Sequence, residues 1–183
     1  MLSVSVARLC DERGVALVLA LMGMVLLMTL GGALVVLTAT ETRISASFRD
    51  GLEAFYAAEA GIARAVVDLR TADWDAVRAG ISKSSFADDA IDLAVARRDI
   101  EEVATTPGWQ PYAFGSWGDM VPGADAGGRL SVVVWVAADP RGDDTVIVLR
   151  SHAYGPQGVR RMVEATVGHT LEGPRVLDWR EWR

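Results

Sequence analysis

Cysteine, histidine and catalytic motifs are scarce in this chain. Because Cys10 is the single cysteine, no internal disulfide can form, and this residue precedes a long apolar run. The two histidines, His152 and His169, have no metal-ligand spacing, and the sequence contains neither a Gly-x-Ser-x-Gly motif nor a phosphate-binding glycine loop. We therefore expect a protein that is not an enzyme, with no catalytic residue, no metal site and no cofactor.

Clustered positive charge is also missing. The chain has 18 Lys and Arg against 24 Asp and Glu, which gives a net charge of −6, and no basic patch is interleaved with aromatic residues. Phosphate binding needs clustered Lys and Arg. Direct binding to nucleic acid is therefore not expected.

Charge is absent altogether from the 26 consecutive residues 15–40. As a helix, residues 15–37 would rise about 35 Å, against a hydrocarbon core of about 30 Å, so we predict a transmembrane span over 15–40. The run is too long for the apolar region of a secretory signal, which has about 7–15 residues, although Thr38-Ala39-Thr40 leaves a cleaved signal as an alternative. Basic residues flank both ends of the span, and the short leader favours a cytoplasmic amino terminus.

A helical pattern continues beyond the span, and no proline occurs before Pro107. The simplest prediction is one continuous helix from about Val15 to Leu69, whose part over 41–70 packs an apolar stripe on a soluble domain. The stripe is formed by Ile44, Phe48, Leu52, Phe55, Ile62, Val66 and Leu69.

The rest of the chain predicts a small domain over 71–171, and the fold class is therefore α+β, with a long helix packed on an antiparallel sheet. Helical pattern is present over 73–79 and 88–104. Three β-rich runs at 129–138, 145–154 and 159–169 are separated by turn signals, which predicts a three-stranded meander. Residues 105–128 predict a long irregular connection, whose aromatic residues either join the core or offer a partner surface. We expect a flexible or docking tail over 172–183.

The turn between the first two predicted strands contains two signals that resemble known sites. Arg141-Gly142-Asp143 spells a cell-adhesion tripeptide, but Gly and Asp are what a hairpin turn needs, and we interpret the tripeptide as a turn. Asp139, Asp143 and Asp144 are oxygen donors suited to calcium, yet they lack the ordered spacing of a calcium loop. Calcium binding is left open, and no metal site is assigned.

The junction Arg13-Gly14-Val15 carries a first family resemblance. A charged leader, a Gly and an apolar helix with no spacer resemble the class III signal of type IV prepilins, in which a membrane peptidase cuts after the Gly and methylates the new amino terminus. The resemblance implies a leader over 1–14, cleavage between Gly14 and Val15, and N-methylation of Val15. Most major pilins carry Glu at the fifth mature residue, where this chain has Leu19. This departure from the family pattern implies that the protein is a priming or tip subunit. The alternative is that Leu19 is simply another lipid-facing residue.

The segment after the span carries a more specific resemblance. Residues 48–62 are similar to PilX-like minor pilins, in which a core equivalent to Ala57-Ala58-Glu59-Ala60-Gly61 follows an Arg and an aromatic residue. The start Arg-Gly-Val-Ala-Leu resembles that family and also the K-type minor pseudopilin of type II secretion. The resemblance covers about residues 13–69. Glu59 and Arg49 are candidates for intersubunit contacts, with a solvated carboxylate as the alternative for Glu59.

The resemblance implies a structural minor pilin that primes or caps a type IV pilus-like filament. The implied partners are prepilin peptidase, other pilins and minor pilins, the inner-membrane assembly platform and the lipid bilayer. The implied location is the bacterial inner membrane, crossed once with an extracytoplasmic carboxyl-terminal domain, and then the pilus. The alternatives are an unprocessed, membrane-anchored binding or adhesion module and a minor pseudopilin of type II secretion.

Overall fold

The fold is seen in a computed structural model, which describes residues 6–84, 93–103, 108–120 and 130–182. The first element, α1 (Val6–Asp68), is one uninterrupted helix of 63 residues. The helix ends one residue before the predicted end but begins nine residues earlier than the predicted Val15. Residues 6–13 include no proline, and a single Gly at position 14 weakens a helix without ending it, so the helical conformation extends through the junction.

The chain divides into two compact units, Met1–Ala46 and Ser47–Arg183. Within the first unit, residues 14–46 are exposed on every side of the helix. Among the described residues one helix is long and apolar enough to cross a membrane. Its hydroxyl groups are satisfied internally, since Thr29 Oγ1 donates to the Leu26 carbonyl at 2.8 Å and Thr38 Oγ1 to the Leu34 carbonyl at 3.0 Å. Such a surface suits lipid, where no water is present to pair polar groups.

The second unit contains the end of α1 and a five-stranded antiparallel sheet in the order β1-β2-β3-β4-β5. Each strand pairs with its neighbours in the sequence, so the sheet is a simple meander. The elements after α1 are α2 (Trp74–Arg78), α3 (Leu93–Val103), β1 (Gln110–Ser116), α4 (Trp117–Met120), β2 (Ser131–Ala138), β3 (Val146–Tyr154), a 3₁₀ turn (Pro156–Gly158), β4 (Arg160–Thr170) and β5 (Gly173–Trp182).

The predicted α+β class is confirmed, and the three predicted strands correspond to β2, β3 and β4. The sheet nevertheless has two further strands, which lie where an irregular connection and a flexible tail were predicted. β1 contains Pro111 and a register shift between Pro111 and Ala113, which an edge strand tolerates but which hides the strand pattern. β5 is largely exposed and rich in charged residues, so it lacks the apolar run that marks a central strand.

Two hydrophobic cores lie on the two faces of the sheet. One core joins α1 and α2 to the strands and includes Ile62, Val77 and Leu149. The other joins α3 to β1 and β2 through Ile100, Phe114, Val133, Trp135 and Trp109. The interpretation of Trp109, Tyr112 and Phe114 as core residues is confirmed, because all three are buried.

Candidate functional site

The side of α1 that packs on the sheet is built from small residues. Ala57 and Ala58 have no exposed surface. A Cβ added to Gly61 would come within 2.7 Å of side-chain atoms of both Val132 and Ser151. Side-chain size therefore sets how closely the helix approaches the strands at this point. We call this row the small-residue seam; it comprises Gly51, Ala54, Ala57, Ala58, Gly61 and Ala65.

The predicted apolar stripe of α1 is partly wrong. Ile62 and Leu69 are buried as expected, whereas Ile44 and Phe48 are 64% and 68% exposed. The pattern was drawn through the largest apolar side chains, and the alanines and glycines that actually contact the sheet lie on a different line along the helix. A periodicity based on large residues cannot identify a helix that packs through its smallest ones.

Part of the predicted stripe is exposed and, together with Tyr56, forms a second apolar surface in the second unit. Phe48, Leu52 and Tyr56 follow one another at four-residue spacing and are all exposed. Phe55 connects them to the sheet, since its ring lies 5.6 Å from Tyr56 and 6.0 Å from the half-exposed Trp179 of β5, edge to face in both cases. We call Phe48, Leu52, Tyr56 and Trp179 the exposed stripe.

A groove of about 240 Å³ runs beside the exposed stripe, between α1 and the ends of β4 and β5. Phe48, Leu52 and Phe55 line its apolar side, and Arg161 and Glu181 line its polar side. Soluble monomeric proteins rarely expose a contiguous apolar patch of this kind, and such a patch usually marks an interaction surface. The arrangement suits contact with another apolar helix.

The structure does not bring Glu59 and Arg49 together. Glu59 is exposed, and no hydrogen bond or ion pair of its carboxylate is present within the described ranges. Arg49 Nε donates to Glu53 Oε1 at 2.9 Å one turn along the helix, and this hydrogen bond raises the pKa of the Arg49 guanidinium. Both groups remain available at the surface, so their intersubunit role stays a prediction.

The predicted processing junction lies within α1. Gly14, Val15 and Leu19 are all exposed in helical conformation, and a Cβ added to Gly14 would meet no atom within 4 Å. Cleavage, methylation and the role of Leu19 remain predictions.

A charge cluster on the second face of the sheet, with Arg150 and Glu164 buried and Arg180 about half exposed, was not predicted. Arg150 Nε donates to Glu164 Oε2 at 2.9 Å, and Arg180 Nε donates to Glu164 Oε1 at 2.9 Å, so one carboxylate joins β3, β4 and β5. The Arg150 guanidinium also lies between two indoles, 4.6 Å from the ring of Trp109 and 4.9 Å from that of Trp182. We call Arg150, Glu164 and Arg180 the charge cluster.

His152 lies next to the charge cluster and is buried. Burial, together with the positive charges of Arg150 and Arg160, lowers the pKa of its imidazole from 6.5 to about 4, while the Asp99 carboxylate acts in the opposite direction. The ring is therefore neutral at pH 7, with Nδ1 3.3 Å from the Tyr154 hydroxyl. In the part of the chain that the structure describes, no group of three His, Cys, Asp or Glu side chains could hold a metal ion.

The turn between β2 and β3 has the geometry expected of a hairpin. Gly142 has a φ of 80°, and its amide donates to the Asp139 carbonyl at 2.9 Å. Asp143 Oδ1 accepts hydrogen bonds from Thr145 Oγ1 at 2.7 Å and from the Thr145 amide at 2.8 Å, which lower the pKa of its carboxyl group. The Asp144 carboxylate pairs with Arg78. One carboxylate oxygen each of Asp143 and Asp144 is thus engaged within the protein, and calcium binding at this turn stays untested.

Comparison with known proteins gives a match over the amino-terminal part of the chain. Residues 13–63 match the family model described as PilX N-terminal. No curated protein matches the chain, and no solved structure matches it. The matched range includes the predicted processing junction, the candidate span and most of the small-residue seam, and it stops before the sheet.

Proposed function

We propose, from the match of residues 13–63 to the PilX N-terminal family model, that this chain is a processed structural subunit of a type IV pilus-like filament. Prepilin peptidase removes the leader between Gly14 and Val15, and Val15 becomes the methylated amino terminus. The subunit then waits in the inner membrane, with its sheet domain on the extracytoplasmic side. The assembly platform and other pilins take it from lipid into the filament.

The observation that carries this proposal is the two-part surface of α1. Over 15–40 the helix has no charged residue and is exposed on all sides, and over 47–68 the same helix packs its small-residue seam on a sheet. A helix without a polar side is stable either in lipid or among other apolar helices. A filament core offers the second environment, so one surface serves both the stored and the assembled state.

The exposed stripe supports contact with neighbouring pilins beyond the membrane span. Phe48 and Tyr56 expose 68% and 57% of their surface, and aromatic residues are enriched at protein interfaces. The groove beside the stripe gives a neighbouring helix an apolar wall together with the charged pair Arg161 and Glu181. The proposed occupant of the stripe is the helix of another pilin.

Leu19 supports a priming or capping position in the filament. A carboxylate at this place would neutralise the amino terminus of the adjacent subunit, and a buried ammonium left without a partner is costly. A subunit with Leu19 is disfavoured where another subunit must follow it in the shaft. Leu19→Glu should therefore raise the number of copies per purified filament several-fold, measured by quantitative mass spectrometry of sheared pili; an unchanged number would contradict the position.

The decisive experiment measures the intact mass and the amino-terminal sequence of the protein from membranes. Cells with and without prepilin peptidase are compared, using the wild type, Gly14→Val and, as a control in the same helix, Gly23→Ala. A chain that starts at methylated Val15 only when peptidase is present, and that keeps Met1 in Gly14→Val, is the expected result. A chain that starts at Met1 in both cells would leave an unprocessed anchored module and overturn the filament role.

The type II secretion alternative is tested on the same cells. A processed chain recovered with sheared pili supports a type IV pilus. If the processed chain is absent from pili but crosslinks to secretion pseudopilins, the protein belongs to type II secretion, and its role as a structural subunit is retained.

A further inference from the structure

A cavity of about 200 Å³ lies where β3 ends, β4 begins and β5 ends, on the face of the sheet that α3 covers. It shares only Arg161 with the groove beside the exposed stripe, and its other lining residues differ from those of the stripe and of the small-residue seam. The filament role does not use it. Its wall includes Asp99, His152, Tyr154, Arg160, Met162 and Trp182.

The wall has an apolar part and a polar part. Trp182, Tyr154 and Met162 supply aromatic rings and a flexible thioether. On the polar part, Arg160 Nη1 donates to Asp99 Oδ1 at 2.8 Å, so these two charges offset each other. Glu102 adds an exposed carboxylate at the rim, whereas the Arg161 guanidinium lies on the other face of the sheet, where Nε donates to the Gly51 carbonyl at 3.4 Å. Because Arg160 is already paired, an anionic ligand is disfavoured and a neutral one fits the paired charges.

Three side chains of this wall carry buried polar atoms without hydrogen-bond partners. By hydrogen-bond geometry within the described chain these atoms are Asp99 Oδ2, His152 Nε2 and Trp182 Nε1. The Tyr154 hydroxyl nevertheless lies near enough to the Asp99 carboxylate for this carboxylate to help raise the pKa of Tyr154, so the need of Asp99 is met in part. Buried polar groups are nearly always paired in native proteins, so three around one cavity require an explanation. The carboxylate oxygen needs a donor, whereas the indole N–H needs an acceptor.

We infer that this cavity binds one neutral sugar ring, such as a hexopyranose or an N-acetylhexosamine. A sugar hydroxyl donates one hydrogen bond and accepts two, so adjacent hydroxyls meet the needs of Asp99 and Trp182 together. The C–H face of the ring packs on the aromatic part of the wall. The volume lies below the roughly 300–1,000 Å³ typical of sites for drug-sized ligands, which limits the occupant to a single ring. A free monosaccharide and the terminal unit of a glycan share this chemistry.

The test uses saturation-transfer NMR on the full chain in a phosphocholine detergent, whose headgroup carries no sugar. The probes are the methyl glycosides of glucose, galactose, mannose, N-acetylglucosamine and N-acetylgalactosamine. At least one should bind with a Kd on the order of 1 mM or tighter. Asp99→Asn and Trp182→Leu should each weaken that binding about tenfold, whereas Glu101→Gln, on the exposed side of α3, should leave it unchanged.

Thermal unfolding of each variant separates lost binding from lost folding. Asp99→Asn keeps the inference testable if Trp182→Leu does not fold, because Trp182 also contacts the charge cluster. No saturation transfer to any of the five glycosides would overturn the inference, and so would binding that folded Asp99→Asn leaves unchanged. Binding of a Phe-containing tripeptide without glycoside binding would assign the cavity to a peptide instead.

A second comparison identifies the source of the sugar. A disaccharide that binds more tightly than its terminal methyl glycoside points to a glycan, whereas the reverse order points to a free monosaccharide. Because the measurement uses unassembled protein, its failure would leave the filament role untouched. Failure of processing at Gly14 would likewise leave the cavity untouched.

Discussion

Gly61 lies in the small-residue seam with no room beside it for a side chain. Gly61→Ala places a methyl group 2.7 Å from atoms of Val132 and Ser151, so the helix must move away from the sheet. We expect a loss of about 1–3 kcal/mol in the free energy of unfolding, the usual cost of overpacking. Denaturant unfolding of the detergent-solubilised chain measures it. Gly23→Ala, whose added Cβ meets nothing within 4 Å, is the matched control and should not destabilise the sheet domain.

Glu164 is the shared partner of both arginines in the charge cluster. Glu164→Gln removes the charge and leaves Arg150 buried beside two indoles, and removing one partner of a buried pair costs about 3–5 kcal/mol. We expect a fall of that order in the free energy of unfolding, while the exposed Glu172→Gln should change it little. A loss below about 1 kcal/mol would mean that water reaches Arg150 and that the cluster is not a buried network.

The charge cluster could not be predicted from the sequence, because its members are brought together only by strand register. Arg150 pairs across β3 and β4 with Glu164, and Glu164 pairs across β4 and β5 with Arg180. Each charge taken alone resembles a surface residue. The family resemblance carried by Ala57 to Gly61 was visible in the sequence, whereas the reason for the glycine at position 61, its close approach to Val132 and Ser151, required the fold.

Among the elements, β5 differs most from its predicted role as a flexible tail. It pairs along β4 from Thr170 to Met162 and supplies Arg180 and Trp182 to the second face of the sheet. Truncation after Leu171 should therefore expose the edge of β4 and leave Glu164 with one arginine. We expect loss of the cooperative thermal transition, followed by circular dichroism. The full-length variant Leu171→Ala, changed at a fully exposed turn residue, should unfold like the wild type; an unchanged transition after truncation would restore the flexible-tail interpretation.

The central elements were predictable because burial makes their pattern strong. β2 is buried almost throughout and is a continuous run of apolar residues, and α1 has no proline to end it. The edge strands were missed because each is paired on one side only. An edge strand can carry proline, as β1 does, or charges, as β5 does, without losing stability.

For the molecule as a whole, the stability of the sheet domain should depend on pH through His152. The folded-state pKa of about 4 lies below the usual 6.5, so the unfolded chain binds the proton more readily. Stability is fully present above about pH 6.5 and is lost as the pH falls toward 4, by an amount on the order of 3 kcal/mol. Asp99, Arg150, Arg160 and the Tyr154 hydroxyl face the ring and modulate this loss.

The measurement compares the free energy of unfolding at pH 7.5 and pH 4.5 in the wild type and in His152→Phe. Carboxylates also titrate at the lower pH, so the difference between the two proteins isolates the histidine. The variant should lose less stability than the wild type on acidification. Equal losses would show that His152 is solvated or already charged in the folded protein.

The order of the strands also determines how this domain can form. Since β1 to β5 pair only with neighbours in the sequence, each hairpin can close as soon as its second strand has been made, without waiting for a distant segment. Glu164 of β4 can pair with Arg150 as soon as β4 pairs with β3, whereas its contact with Arg180 forms only when β5 has paired. The network of ionic contacts is therefore complete only when the carboxyl-terminal strand has paired, so a chain whose last strand is unpaired differs from the finished domain in the charge that Glu164 leaves open.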